Sequence, residues 1–159
     1  MLAECGHQVG RVQVAGRLAG AGIRIPVVAG DTYNLVAASD LALVTSGTAT
    51  LECALLECPM VIVYRLAPIS WLIARLLVHG VRCVGMPNIV AGHEIVPELL
   101  QREATGERIA AAAQGILRDP ARRAAMVEEL RGVRRSLGRG GAAGRAAAIA
   151  LEMLGGRAE

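Results

Sequence analysis

LALVTSGTATLE, residues 41–52, is the stretch on which the fold turns. Leu41 to Val44 form a continuous aliphatic run of the kind a buried strand carries. Thr45 to Thr48 are small and suit a tight turn, and residues 49–56 read as a helix. Strand, small-residue turn and helix leave backbone N–H groups and the positive end of a helix dipole facing outward, an arrangement that receives phosphate. Ser46, Thr48 and Thr50 add hydroxyl donors there, and Gly47 lets a ligand approach the backbone. Glu52, one turn into the helix, is spaced to accept both hydroxyls of a ribose. The same residues also admit a plain packing role, with Ser46 or Thr48 as the helix N-cap. Neither GxxxxGK[ST] nor GxGxxG occurs, so neither a P-loop NTPase nor a standard dinucleotide fold is supported.

Working outward, residues 23–29 (IRIPVVA) read as a strand, and Gly30-Asp31 turns into a short helix over 32–38. The helix after the SGTAT turn ends at Cys58-Pro59, and residues 60–64 (MVIVY) are a further buried strand. Aliphatic strands alternating with short helices predict a parallel sheet with helices on both faces. Beyond it, the spacing predicts a helix over 69–79 opened by Pro68, a short strand over 81–85, and a loop from Met86 to Glu94. A short helix over 94–100 is expected next, with Pro97 in its first turn. Thr105 starts a helix running to Arg118, Asp119-Pro120 is an N-cap and N1 pair for a helix to Leu137, and 138–141 is a glycine hinge before an Ala-rich helix over 142–154. Residues 1–11 show no clear period, and 12–22 fit a strand end or a short helix. The division is 1–24, a truncated or irregular segment; 25–118, one α/β domain; and 119–159, a helical C-terminal extension.

In open α/β sheets ligands bind beyond the carboxyl ends of the strands. Three loops are expected there: Thr45 to Thr48, Tyr64 to Pro68, and Met86 to Glu94. Asn88, His93 and Glu94 gather polar chemistry in the third, although a histidine there also reads as a surface residue and Glu94 as a first-turn carboxylate. Arg65, ending MVIVY, is placed to meet a diphosphate bidentately or to stand on the surface. Trp71 and Arg75 lie one turn apart on the 69–79 helix, which reads as a packed helix with an interfacial role as the alternative.

The 159 residues contain no Lys and no Phe, so all 17 basic side chains are Arg and the core is aliphatic. Aromatics at 2% argue against single-stranded nucleic-acid binding, which uses stacking platforms. The net charge of +3 is uneven, with six Arg against seven acids up to Leu100 and eleven against seven beyond it. The Arg-rich tail reads as a solvated helix face, with RNA or an anionic membrane surface as alternatives. Cys5, Cys53, Cys58 and Cys83 lack CxxC spacing and read as buried thiols of a reducing cytoplasm; with scattered His7, His79 and His93 they form no metal constellation. No signal peptide or spanning run is visible, so the chain reads as soluble and at most peripheral to a membrane.

SGTATLECALLECPMVIVYRLAP followed by MPNIVAGHEIVPELLQREAT resembles the C-terminal half of lipid-A-disaccharide synthase, a bacterial glycosyltransferase, over about residues 25–154. The resemblance implies a Rossmann-like donor domain of a GT-B transferase, cytoplasmic or on the cytoplasmic face of the inner membrane. It also implies a UDP-activated sugar as donor, UDP-2,3-diacylglucosamine, with 2,3-diacylglucosamine 1-phosphate as acceptor, and no metal or other cofactor. By that resemblance Ser46, Gly47, Thr48 and Thr50 cradle the diphosphate, Glu52 holds the ribose, and Asn88 sits near the reacting sugar. Gly92, His93 and Glu94 shape the same loop. The residue before that Glu is usually Arg in the family, so a fixed charge becomes one that His93 gains only on protonation. A GT-B transferase also needs an N-terminal acceptor domain carrying the general base, for which this chain has no room; alone it is expected to be inactive. Two alternatives stay open: another UDP-sugar enzyme of the same fold, such as a 2-epimerase or muropeptide-type transferase, and a non-catalytic interaction module.

Overall fold

The computed structural model describes residues 3–4, 15–66, 83–138 and 140–155. The predicted 69–79 helix with Trp71 and Arg75, the first two residues of the 81–85 strand, and the end of the Tyr64–Pro68 loop lie outside the described residues.

Strand β1 (Ala3–Glu4) pairs in parallel with β2 (Val27–Val28), so the opening segment contributes a strand, and a helical stretch over 15–20 follows it. The strand expected over 23–29 shrinks to two residues because Pro26 has no N–H to give a ladder. Helix α1 (Thr32–Ala37) leads to β3 (Ala42–Thr45), α2 (Thr48–Leu55) and β4 (Met60–Tyr64). Then come α3 (Met86–Ala91), β5 (Glu98–Leu100), a 3-10 turn (Gln101–Glu103), α4 (Gly106–Leu117), α5 (Pro120–Leu137) and α6 (Ala142–Gly155).

Strands β3, β4 and β5 form a parallel three-stranded sheet in that order, separate from β1 and β2. Met60, Val61 and Ile62 are each fully buried, and since successive strand residues point to opposite faces, both faces of β4 are covered. The cover on β3 is one-sided: Ala42 and Val44 are half-buried, whereas Leu43 is 53% exposed. Helices α4 and α5 close the core, α5 through Met126, Leu130 and Val133 at helical spacing. Thr105 and Asp119 cap α4 and α5 as their positions predicted, accepting from the N–H groups of Arg108 and Arg122. Helix α6 stands exposed from Ala143 to Leu154, including Ile149, Leu151 and Met153. No described helix is long and apolar enough to cross a membrane.

One segment departs from expectation. The predicted loop over 86–94 is mostly helix α3, and the predicted helix over 94–100 is a loop followed by strand β5. Pro87 is accommodated in the first turn of α3, where its missing N–H costs nothing, and Gly92 stops the helix at φ 78°. Asn88 then takes the N–H groups of Ile95 and Val96 on its side-chain oxygen, which diverts the backbone from helical bonding. Pairing of Glu98–Leu100 with Ile62–Tyr64 overrides the helical propensity of PELLQ.

Candidate functional site

The register aligns Thr45 with Val63 and Val63 with Leu99, so Ser46, Arg65 and Gln101 emerge together at the carboxyl edge of the sheet. Helix α2 begins there without a side-chain cap, its N-cap being Gly47 at φ 150°, a backbone region that favours glycine. A Cβ on Gly47 would meet nothing within 4 Å, so glycine serves the conformation of the turn rather than a close packing contact. The expectation of Ser46 or Thr48 as N-cap is thereby corrected. Ser46 Oγ instead donates to the carbonyl of Val84 at 3.3 Å, and buried Thr50 donates to the carbonyl of Gly47 at 2.7 Å. Both hydroxyl protons are committed to the backbone. What faces outward at this turn is the exposed Thr48 side chain and the first-turn N–H groups of Thr48 and Ala49, which have no intrahelical carbonyl to meet.

Glu52, half-buried, borders a cavity of about 510 Å³ between α1 and α2 on the open face of β3, shared with Thr45, Ala49, Tyr33 and Val36. Thr45 and Ala49 bring the flanks of the turn to this cavity, while Ser46, Gly47 and Thr48 do not line it. Arg65 is exposed, and its Nε donates to the carbonyl of Gln101 at 3.2 Å.

The remaining sequence-derived candidates lie elsewhere. Helix α3 starts beside Ser46 and runs away from it for about 9 Å at 1.5 Å per residue. Gly92, His93 and Glu94 stand at its far end, before the amino end of β5, and not in the cleft expected for them. His93 Nδ1 lies 3.1 Å from the carbonyl of Ala91, and Nε2 lies 3.7 Å from Glu129, in a separate groove that includes Glu94 and Arg122. Asn88 is fully buried and uses its whole amide. It donates to the Val96 carbonyl at 2.8 Å and to Glu98 at 2.7 Å, and accepts from Ile95 and Val96 at 2.8 and 3.0 Å. That environment makes it a staple for the loop before β5.

Three residues at this edge escaped the reading of the sequence. The Glu98 carboxylate accepts the N–H groups of Val84 and Gly85 at 2.7 and 2.8 Å as well as the Asn88 amide. It therefore fixes the turn that leads into α3, whose Val84 carbonyl receives Ser46; Cys83, Val84 and Gly85, expected in a strand, are not in one. Gly85 belongs to the same clamp, since a Cβ there would collide with Ile62 Cδ1. A carboxylate inside an apolar strand is a legible signal, but one hidden when 94–100 reads as helix. Gln101 adopts φ 50°, and its side-chain Nε2 is buried without a hydrogen-bond partner among the described residues. A left-handed non-glycine residue costs about 1–3 kcal/mol, and a stranded buried donor costs about 1–3 kcal/mol.

Among the described residues no three His, Cys, Asp or Glu side chains are grouped to hold a metal ion. Cys53 and Cys58 are buried free thiols, and burial pushes them up to about 12 and about 11.

The sequence model of the lipid-A-disaccharide synthetase family matches residues 13–150. The chain is 49% identical over 133 residues to the lipid-A-disaccharide synthase of Syntrophus aciditrophicus, covering 84% of this chain and 34% of that protein. Against that of Anaeromyxobacter dehalogenans (strain 2CP-C) the figures are the same, 49% over 133 residues with 84% and 34% coverage. The synthase of Myxococcus xanthus is 41% identical over 146 residues, covering 92% of this chain and 38% of that protein. The chain spans about a third of the length of these curated relatives. With a match over most of its length and a parallel α/β sheet, the chain belongs to the lipid-A-disaccharide synthetase family.

Proposed function

We propose that this chain forms the donor side of a lipid-A-disaccharide synthase, holding UDP-2,3-diacylglucosamine at the carboxyl edge of its three-stranded sheet. The observation that carries this reading is the uncapped start of α2 at the same edge as Arg65. The diphosphate seats on the first-turn N–H groups of Thr48 and Ala49, the Thr48 hydroxyl and the Arg65 guanidinium. Ser46 and Thr50 shape that turn through their bonds to backbone carbonyls, and Glu52 takes the ribose hydroxyls. Asn88 supports the site only through Glu98, and Gly92, His93 and Glu94 have no donor contact in this scheme. A metal has no part in it: the helix dipole and Arg65 offset the charge that develops on the leaving diphosphate.

In the complete reaction a hydroxyl of 2,3-diacylglucosamine 1-phosphate attacks the anomeric carbon of the donor with inversion. The bond from that carbon to the UDP oxygen breaks, the new glycosidic bond forms, and the hydroxyl proton passes to a general base on the acceptor side. We assign that base to an acceptor domain outside this chain, and the reaction to the cytoplasmic face of the inner membrane.

Calorimetric titration tests the reading. The purified chain should bind UDP weakly and, with both lipid substrates present, form no disaccharide. Glu52→Ala should weaken UDP while leaving inorganic diphosphate unaffected, and Arg65→Ala should weaken both. Binding should survive chelation of divalent cations. Absence of UDP binding at millimolar nucleotide would overturn the donor-site reading, and disaccharide formation by the chain alone would overturn the division of labour.

A further inference from the structure

We propose that Gln101 is an additional donor-site residue, whose side-chain amide is held back in the resting protein and donates to an anionic oxygen of the bound nucleotide diphosphate beside Arg65. The inference rests on the donor-site reading above and extends it to a residue of the second motif to which the resemblance assigns no role.

Three observations converge on it. First, Tyr64 pairs with Leu100, so Arg65 and Gln101 are the next residues past the last rung of the β4–β5 ladder, at the ligand edge. The two are already joined, Arg65 Nε donating to the Gln101 carbonyl at 3.2 Å. That bond fixes one corner of the guanidinium and leaves its terminal nitrogens as the fork for a phosphate.

Second, Gln101 combines two unfavourable features in one residue, a left-handed backbone at φ 50° and a buried Nε2 with no partner among the described residues. The resting fold explains neither. Glycine or asparagine adopts that backbone more readily, and methionine fills the same space without stranding a donor. Strain and an unspent polar group on one residue mark an interaction made in another state of the protein.

Third, the chemistry fits the ligand already placed at this edge. A neutral amide N–H beside an arginine supplies directional donation next to charge, which suits an anion with several oxygens. Because Nε2 is shut off from solvent, the amide reaches the ligand by rotating out of its resting position, at the junction of β5 and the Gln101–Glu103 turn.

The test is Gln101→Met, which keeps the length and removes the amide, read by thermal melting and by UDP titration on the same preparation. The expected result is a Tm at or above that of the wild type, together with at least a ~10-fold loss of UDP affinity, the equivalent of one hydrogen bond to a charged acceptor. Gln101→Asn, which retains an amide and tolerates the backbone, should recover part of that affinity. A raised Tm with unchanged UDP affinity would overturn the proposal, because the amide would then serve nothing. A lowered Tm would overturn it too, because the amide would then have had a partner at rest. Wild-type protein that fails to bind UDP sinks the donor-site reading and this inference with it. Wild-type binding left intact in Gln101→Met sinks this inference alone.

Discussion

Asn88→Ala separates a scaffold role from a catalytic one. The side chain is fully buried and makes four hydrogen bonds between 2.7 and 3.0 Å, all within the loop before β5 or to Glu98. Alanine removes all four. It leaves the N–H groups of Ile95 and Val96 and the carbonyl of Val96 without that partner, and takes one of three donors from Glu98. At about 1 kcal/mol for each bond, with more where a buried group is orphaned, the loss is about 4–6 kcal/mol. Small domains are stable by about 5–15 kcal/mol, so the variant should melt on the order of 10 °C or more below the wild type. Thermal and urea unfolding followed by circular dichroism measure it directly. A variant within about 1 kcal/mol of the wild type would refute the staple. Lost transfer activity in a complete enzyme carrying that variant, with melting unchanged, would return Asn88 to the chemistry.

Gly85→Ala should cost about 1–3 kcal/mol, because the added Cβ collides with buried Ile62 and lies 3.0 Å from Glu98 Oε1; an unchanged urea midpoint would contradict the close approach. Glu57 is held below the ordinary carboxylate range chiefly by its hydrogen bond from Arg131, with Arg134 adding to it. A lowered folded pKa contributes stability that is present above the unfolded value and is lost as pH falls through the folded one. Glu57→Gln should therefore lower stability by a constant amount above the usual carboxylate range and flatten the acid limb below it, where variant and wild type converge; an unaltered acid limb would refute the pairing. Cys53 and Cys58, raised to about 12 and about 11 by burial, should resist iodoacetamide at mildly alkaline pH in the native protein and react once it is unfolded. Peptide mapping that finds either one alkylated in folded protein would contradict their burial.

What the sequence made legible follows from which forces are local. Strand β4 was plain in MVIVY because an element covered on both faces has no polar alternation to obscure it. The caps at Thr105 and Asp119 were legible because each acts within three residues of itself. The segment 94–100 was misread because PELLQ carries helical propensity, and its strand state depends on β4 and on Asn88, contacts that lie outside the segment. That error carried the site with it. Read as a loop, 86–94 brings His93 and Glu94 to the SGTAT turn; as helix α3 it carries them away, and the strand state of 98–100 is what brings Glu98 to Val84, Gly85 and Asn88. Ser46, Gly47, Thr48 and Glu52 were legible as a turn and its helix, but not where each hydroxyl proton goes: Ser46 reaches Val84, 38 positions away. Gln101 left no sequence signal, since a left-handed glutamine with a stranded amide is a property of the packed chain.

The most direct test of the donor site is an amide-resolved NMR titration of the isotopically labelled chain with UDP. Binding at the start of α2 requires the largest shifts at Gly47, Thr48 and Ala49, accompanied by shifts at Arg65 and Gln101, with the Arg122 and Glu129 side of α5 unmoved. Shifts centred on His93, Glu94 and Glu129, or a spectrum that does not change at saturating nucleotide, would contradict it.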